Sequence, residues 1–154
     1  MWNELILMAH PTLGALGILG GVWLFVEALN ARESNQTRIR MAGLATAGLM
    51  WGSYLIGGYW YVTFYAVDKA RIVAGPWPFA HNFFMETKEH VFLSLLLLAT
   101  FLPIAASNNL AASKGARNLV LWSAAFVVLM ALGMEGAGSF IAMGVKVALT
   151  AKPV

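Results

Sequence analysis

The sequence predicts an all-α integral membrane protein, a four-transmembrane-helix up-down bundle in a single domain, and three observations carry that expectation. The 154 residues are 60% hydrophobic and only 11% charged, with a mean hydropathy of +0.71, whereas a soluble domain devotes roughly a quarter of its residues to charge. Four segments, near residues 5–29, 41–66, 81–106 and 119–149, are apolar enough and long enough to cross a bilayer core, which takes about 20 residues as a helix. No period-two alternation is present, which argues against a β-barrel. The lipid bilayer is therefore the expected surrounding, in the cell membrane of a bacterium or archaeon.

Segment one lacks the basic leader of a signal peptide and its apolar stretch is too long for one, so it is expected to stay attached. It carries His10 followed by Pro11. Proline removes the amide that Leu7 O needs, so the helix either kinks here or begins here. Gly14, Gly17 and Gly21 continue the His10 face as a stripe without bulk, which lets another helix approach closely and also makes room for a flat macrocycle.

The connection after segment one is polar and basic, with Arg32, Arg38 and Arg40, and so is the one after segment three, with Lys114 and Arg117. By the positive-inside rule these two loops face the cytoplasm, and both termini then lie outside. Segment two ends in Tyr54, Tyr59 and Tyr61, close to the outer surface. Trp51, Trp60, Tyr61, Tyr65 and Trp77 read as an aromatic belt and packing.

Segment three opens with the most polar stretch of any span, Glu86-Thr87-Lys88-Glu89-His90. Ionisable groups at such a depth are costly and are kept for function. His81 and His90 are nine residues apart and point to opposite faces. His90, on the face of Glu86, Ser94 and Leu97, is expected to be the inward one. His81, just after Pro76-Trp77-Pro78, is expected at the headgroup boundary, sharing its face with Lys88 and looking towards the rim or a shallower site. Segment four places Glu135 mid-span among Gly133, Gly136 and Gly138, which loosen or bend the helix. Counted at about 1.5 Å per residue, His10, the 86–90 cluster, Glu135 and the helix-two tyrosines all fall in one layer of the outer half.

Absent residues narrow the chemistry. Without cysteine there are no disulfides, iron–sulfur clusters, thiolate zinc sites or covalently attached c-type haem. No phosphate loop or dinucleotide fingerprint is found. The net charge of +3 and the pI near 9.5 reflect loop residues that set topology, so no nucleic-acid partner is expected.

Four readings remain. In the first, a b-type haem is held between His10 and His90, with Lys69 or Arg71 near the propionates, the helix-two tyrosines closing the pocket and Glu86, Lys88, Glu89 and Glu135 around it. Such a protein passes electrons, as a possible oxidoreductase or redox subunit, between a quinol in the bilayer and an external redox protein, as a homodimer or within a larger membrane complex. The layout resembles that of small membrane b-type cytochromes, without a family-specific motif. In the second, His10, Glu86, Glu89, His90 and Glu135 bind or transport a transition-metal ion, iron, copper, zinc or manganese. In the third, Glu27 and Glu135 relay protons without a cofactor. In the fourth, the charges pair internally and bind nothing.

Overall fold

The computed structural model describes residues 2–151, with side chains from Glu4 onward. The described residues form four long helices: α1 (Trp2–Leu29), α2 (Gln36–Ala74), α3 (Glu86–Ala106) and α4 (Lys114–Thr150), with a 3₁₀ turn at Glu33–Asn35 and a π-helical turn at Ala80–Met85 leading into α3. No strand occurs among them. Neighbours in sequence are neighbours in space, and α4 closes the ring against α1. Three of the helical stretches, Glu4–Leu29, Ala80–Ala106 and Lys114–Thr150, are long and apolar enough to cross a membrane. α2 is the longest helix but is diluted by Gly, Ser, Thr and Tyr.

The side chains are distributed inside out relative to a water-soluble bundle. Buried positions are dominated by small residues, Ala28, Ala42, Ala99, Ala105, Ala106, Ala124 and Ala131, while Leu19, Leu44, Leu55, Val62, Leu97, Trp122 and Leu129 point outward. Small residues let backbones approach: a Cβ on Gly43 meets Pro103 Cα at 3.3 Å, and one on Gly20 meets Thr46 Oγ1 at 2.9 Å. Two buried clusters result. One fills the end next to the basic loops, around Leu24, Ile39, Leu102 and Val120, and the other gathers Tyr65, Ile72, Ala80, Met85 and Ile141 at the far end.

The helix ends differ from the sequence expectation in ways that side-chain chemistry explains. α2 runs on to Ala74 instead of stopping near residue 66. The Asp68–Arg71 pair at 3.2 Å spans one turn, and Ile72 is fully buried, so the polar residues decorate a helix and do not break it. Gly75 and Pro76 then end it. α4 begins at Lys114, five residues early, because Ser113 accepts a hydrogen bond from Ala116 N as its N-cap. α1 continues through Pro11 and starts before His10, which resolves the two possibilities raised by that proline.

Both basic connections lie at one end and are stitched together there. Gln36 Nε2 donates to Ala106 O and Asn108 O, at 2.9 and 2.7 Å, and Arg40 donates to Ser107 O at 2.9 Å. Beneath them Asn35, 4% exposed, donates to Glu27 Oε2 at 2.7 Å and to two backbone carbonyls, and receives Arg32 N at 2.8 Å. Arg38 completes the knot by binding Glu27 at 2.9 Å. Asn35→Ala removes the four hydrogen bonds of the Asn35 side chain at once. We expect it to lower the stability by about 1–3 kcal/mol, the range for orphaning buried polar groups, as a drop in the thermal unfolding midpoint in detergent; an unchanged midpoint would show that the corner is held by other contacts.

Candidate functional site: a polar-lined cavity in the bundle

A cavity of about 700 Å³ opens between the four helices in the half distant from the basic loops. That volume lies in the range of small-molecule and cofactor sites. Most of its wall is apolar or aromatic, including Met50, Trp60, Phe92 and Met134, and Tyr54 stacks on Phe92 with centroids 4.9 Å apart. His10, Lys88, Glu89, Glu135, Tyr61 and Tyr65 bring polar atoms into it.

His10 is fixed by α2. Its Nδ1 lies 2.9 Å from Ser53 O and 3.0 Å from Ser53 Oγ, while Ser53 Oγ donates to His10 O at 2.9 Å. The Ser53 hydroxyl has spent its proton on the carbonyl, and Ser53 O can only accept. In the neutral ring the proton therefore sits on Nδ1, and Nε2 keeps a free lone pair. Gly57 makes room for the ring, since a Cβ there falls 2.5 Å from Nδ1 and 2.7 Å from Cε1.

Glu135 and Lys88 meet from the other side. The Glu135 carboxylate rests on Gly14, in the space a Cβ would take, with Ser53 Oγ beside it. Lys88 Nζ lies against Gly138, one turn further along α4, at 3.2 Å from a Cβ built there. The two charges lie within electrostatic range of each other, and Lys88 acts on His10 as well. Among the described residues neither the Lys88 ammonium nor the Glu135 carboxylate makes a hydrogen bond or a close ion pair with the protein. Both retain full bonding capacity towards whatever occupies the cavity.

Several expectations are corrected. His90 is exposed on the outer face of α3, its Nδ1 bonded to Glu86 O of its own helix at 2.6 Å, so it does not face His10 across the bundle. His81 is the buried histidine of the pair, 3% exposed, held inside the protein beside Tyr65 and Glu86 and not on its rim. The reason is the packing stripe of α3: Lys88, Phe92, Leu95, Ala99, Leu102 and Ala106 recur every three or four residues and turn inward, carrying His90 outward with Thr87, Ser94 and Leu97. Lys88 consequently lines the cavity and not the rim. The five residues expected to bind a metal do not gather. Glu86 pairs with His81, Glu89 accepts from Tyr61 at 2.5 Å, and among the described residues no three His, Asp or Glu side chains are grouped to hold a metal ion.

The glycine stripe of α1 is filled by protein side chains, Glu135 at Gly14, Met50 at Gly17 and Val128 at Gly21, so a macrocycle does not lie along it. Tyr54 and Tyr61 stand in the cavity wall, whereas Tyr59 points outward, 57% exposed. Ser53 and Gly57 were not singled out by the sequence reading. Their signal was the inward row Thr46, Met50, Ser53, Gly57 and Tyr61, spaced by threes and fours along α2.

Gly57→Ala tests the seat of His10. Overpacking at this contact is expected to cost about 1–3 kcal/mol and to turn the ring, so that its ¹⁵N NMR spectrum loses the pattern of a neutral imidazole protonated at Nδ1. A spectrum identical to the parent would mean that the ring is not held against Gly57. No protein-family model, curated protein or solved structure matches this chain, so its own residues carry the functional argument.

Proposed function

We propose that this is an integral membrane protein crossing the bilayer four times, both chain ends outside, that holds a b-type haem in its cavity and transfers electrons. Support for the placement comes from helix length. About 20 residues, enough to cross roughly 30 Å of hydrocarbon, lead from Arg40 to Tyr61, from Ala106 back to Glu86, from Arg117 to Gly138 and from Leu29 back to His10. The basic loops thus fit the inner boundary and the polar layer fits the outer one. An exterior of Leu, Val, Phe and Trp fits lipid.

The observation that carries the haem reading is the state of His10. Histidines that bind a metal donate their other ring N–H to a carbonyl or carboxylate, which fixes the tautomer and raises the basicity of the ligating nitrogen. His10 does this with Ser53 O and keeps Nε2 free in the wall of a cavity lined by apolar and aromatic groups. His90 has no part in the binding. Met134 lines the same cavity and its thioether would supply a second ligand to the iron. Lys88, an ammonium without a protein hydrogen bond, suits a propionate.

Quinol in the bilayer and an external redox protein remain the proposed electron partners. Thr87, His90 and Ser94 form a polar strip on the outer face of α3. A strip of that kind fits cover by another helix, in a homodimer or a larger complex.

The test is an optical spectrum of the detergent-purified protein, before and after adding haemin, oxidised and reduced. Sharp haem bands are expected in the parent and in His90→Ala, and their loss in His10→Ala. Lys88→Met is expected to weaken haem binding by about tenfold, the loss of one charge-assisted contact of roughly 1.5 kcal/mol. A protein that stays colourless after haemin addition, or bands that survive His10→Ala, would overturn the reading.

A further inference from the structure

A second polar set, separate from His10, lies in the far core cluster at the head of α3. Tyr65, 2% exposed, and His81, 3% exposed, are joined by a hydrogen bond of 3.0 Å between Tyr65 Oη and His81 Nδ1. On the other side of the ring, His81 Nε2 lies 3.6 Å from Glu86 Oε1. A carboxylate only accepts, so the neutral ring carries its proton on Nε2 and receives the Tyr65 hydroxyl on Nδ1. Tyr65 lines the cavity, and the Glu86 side chain is 45% exposed. A hydrogen bond from Tyr65 to His81 and a longer approach of 3.6 Å from His81 to Glu86 thus lead from the cavity wall towards the surface, through surroundings that are otherwise apolar.

The backbone supplies an independent argument. On an α-helix, residues five apart point about 140° away from each other. His81 and Glu86 are five apart and face each other because residues Ala80–Met85 form a π-helical turn, whose last amide, Glu86 N, reaches back to His81 O. Such turns are rare and concentrate at functional sites. Here the extra residue has one visible result, which is to bring a half-exposed carboxylate onto a buried imidazole.

We propose that Tyr65, His81 and Glu86 carry protons between the cavity and the solution on the side away from the basic loops. In one outward passage Tyr65 takes a proton from a cavity group as its own hydroxyl proton moves to His81 Nδ1. The imidazolium gives its Nε2 proton to Glu86, which releases it to water and leaves the ring protonated on Nδ1; inward passage reverses these steps and restores the starting tautomer. On the cavity side the groups facing the relay are Tyr61, stacked on Tyr65 at 5.2 Å, and Glu89, which holds the Tyr61 hydroxyl. Asp68 and Lys69 are the charges of α2 within reach, and α4 presents the apolar Ile141 and Val145. The relay does not depend on which molecule fills the cavity.

The test is a laser-triggered acid jump from a caged proton, followed by time-resolved infrared spectroscopy on detergent-purified protein labelled with ¹³C in the histidine rings. A His10→Gln, His90→Gln background leaves His81 as the one labelled ring. The His81 bands are expected to follow the jump. Glu86→Leu and Glu86→Gln are each expected to slow that response at least about tenfold, a threshold set below the roughly 10²–10⁴-fold that a positioned acid or base contributes. Glu86 is half-exposed, so its replacement leaves the core intact. Tyr65→Phe is expected to leave the His81 rate unchanged and to remove the delayed response of the Glu89 carboxylate. His81 bands that stay silent, an unchanged rate in both Glu86 variants, or an unchanged Glu89 response in Tyr65→Phe would overturn the proposal.

Discussion

The cavity and everything argued from it depend on how closely α1 and α2 cross at Ser53 and Gly57. At that point one serine makes three polar contacts with one histidine, through its carbonyl, its hydroxyl oxygen and its hydroxyl proton. A glycine one turn later removes the atom that the ring would strike. Neither contact survives if the helices separate by the width of a methyl group. Small residues further along the same interface, Gly17 against Met50 and Gly20 against Thr46, keep them together. A polar anchor is thereby set at a chosen depth by apolar packing along the rest of the pair.

With His10 held, the remaining walls have different origins. α4 contributes through absence of bulk, since Gly138 admits Lys88 from α3 while Glu135 reaches across to Gly14 of α1. Two opposite charges come near one another without closing into a direct bond. A closed pair would have satisfied both and left an inert interior, as structural ion pairs do. The open arrangement keeps a cation, an anion and an imidazole lone pair available around one space, and that distinguishes this interior from a bundle held together by packing alone.

The sequence made the helical class legible, together with the number of long helices and the positions of the basic turns, because apolar run length and turn chemistry are local properties. The layer shared by His10, the 86–90 cluster and Glu135 was also legible, since depth follows from rise per residue. Rotation was not. Whether His81 or His90 turned inward depended on which face of α3 packed, and the row Lys88, Phe92, Leu95, Ala99, Leu102, Ala106 carries that information more reliably than the placement of charge. The π-helical turn had no signature in residue type, so the meeting of His81 with Glu86 lay beyond any argument from a fixed 100° step. Ser53 was overlooked because a single serine in a long apolar helix is ordinary until its partner across the interface is known.

The one-residue excess at Ala80–Met85 has a mechanical consequence. It separates the supports of the two polar sets: His10 is suspended from the α1–α2 contact, whereas the His81 ring is aimed by a local widening of the helical spiral. Shortening that spiral by a single residue would swing His81 away from Glu86, while α3 keeps its packed face and the imidazole on α1 stays where it stands. A chain built in this way can gain or lose its surface connection through one codon's worth of length, without rebuilding the chamber beneath.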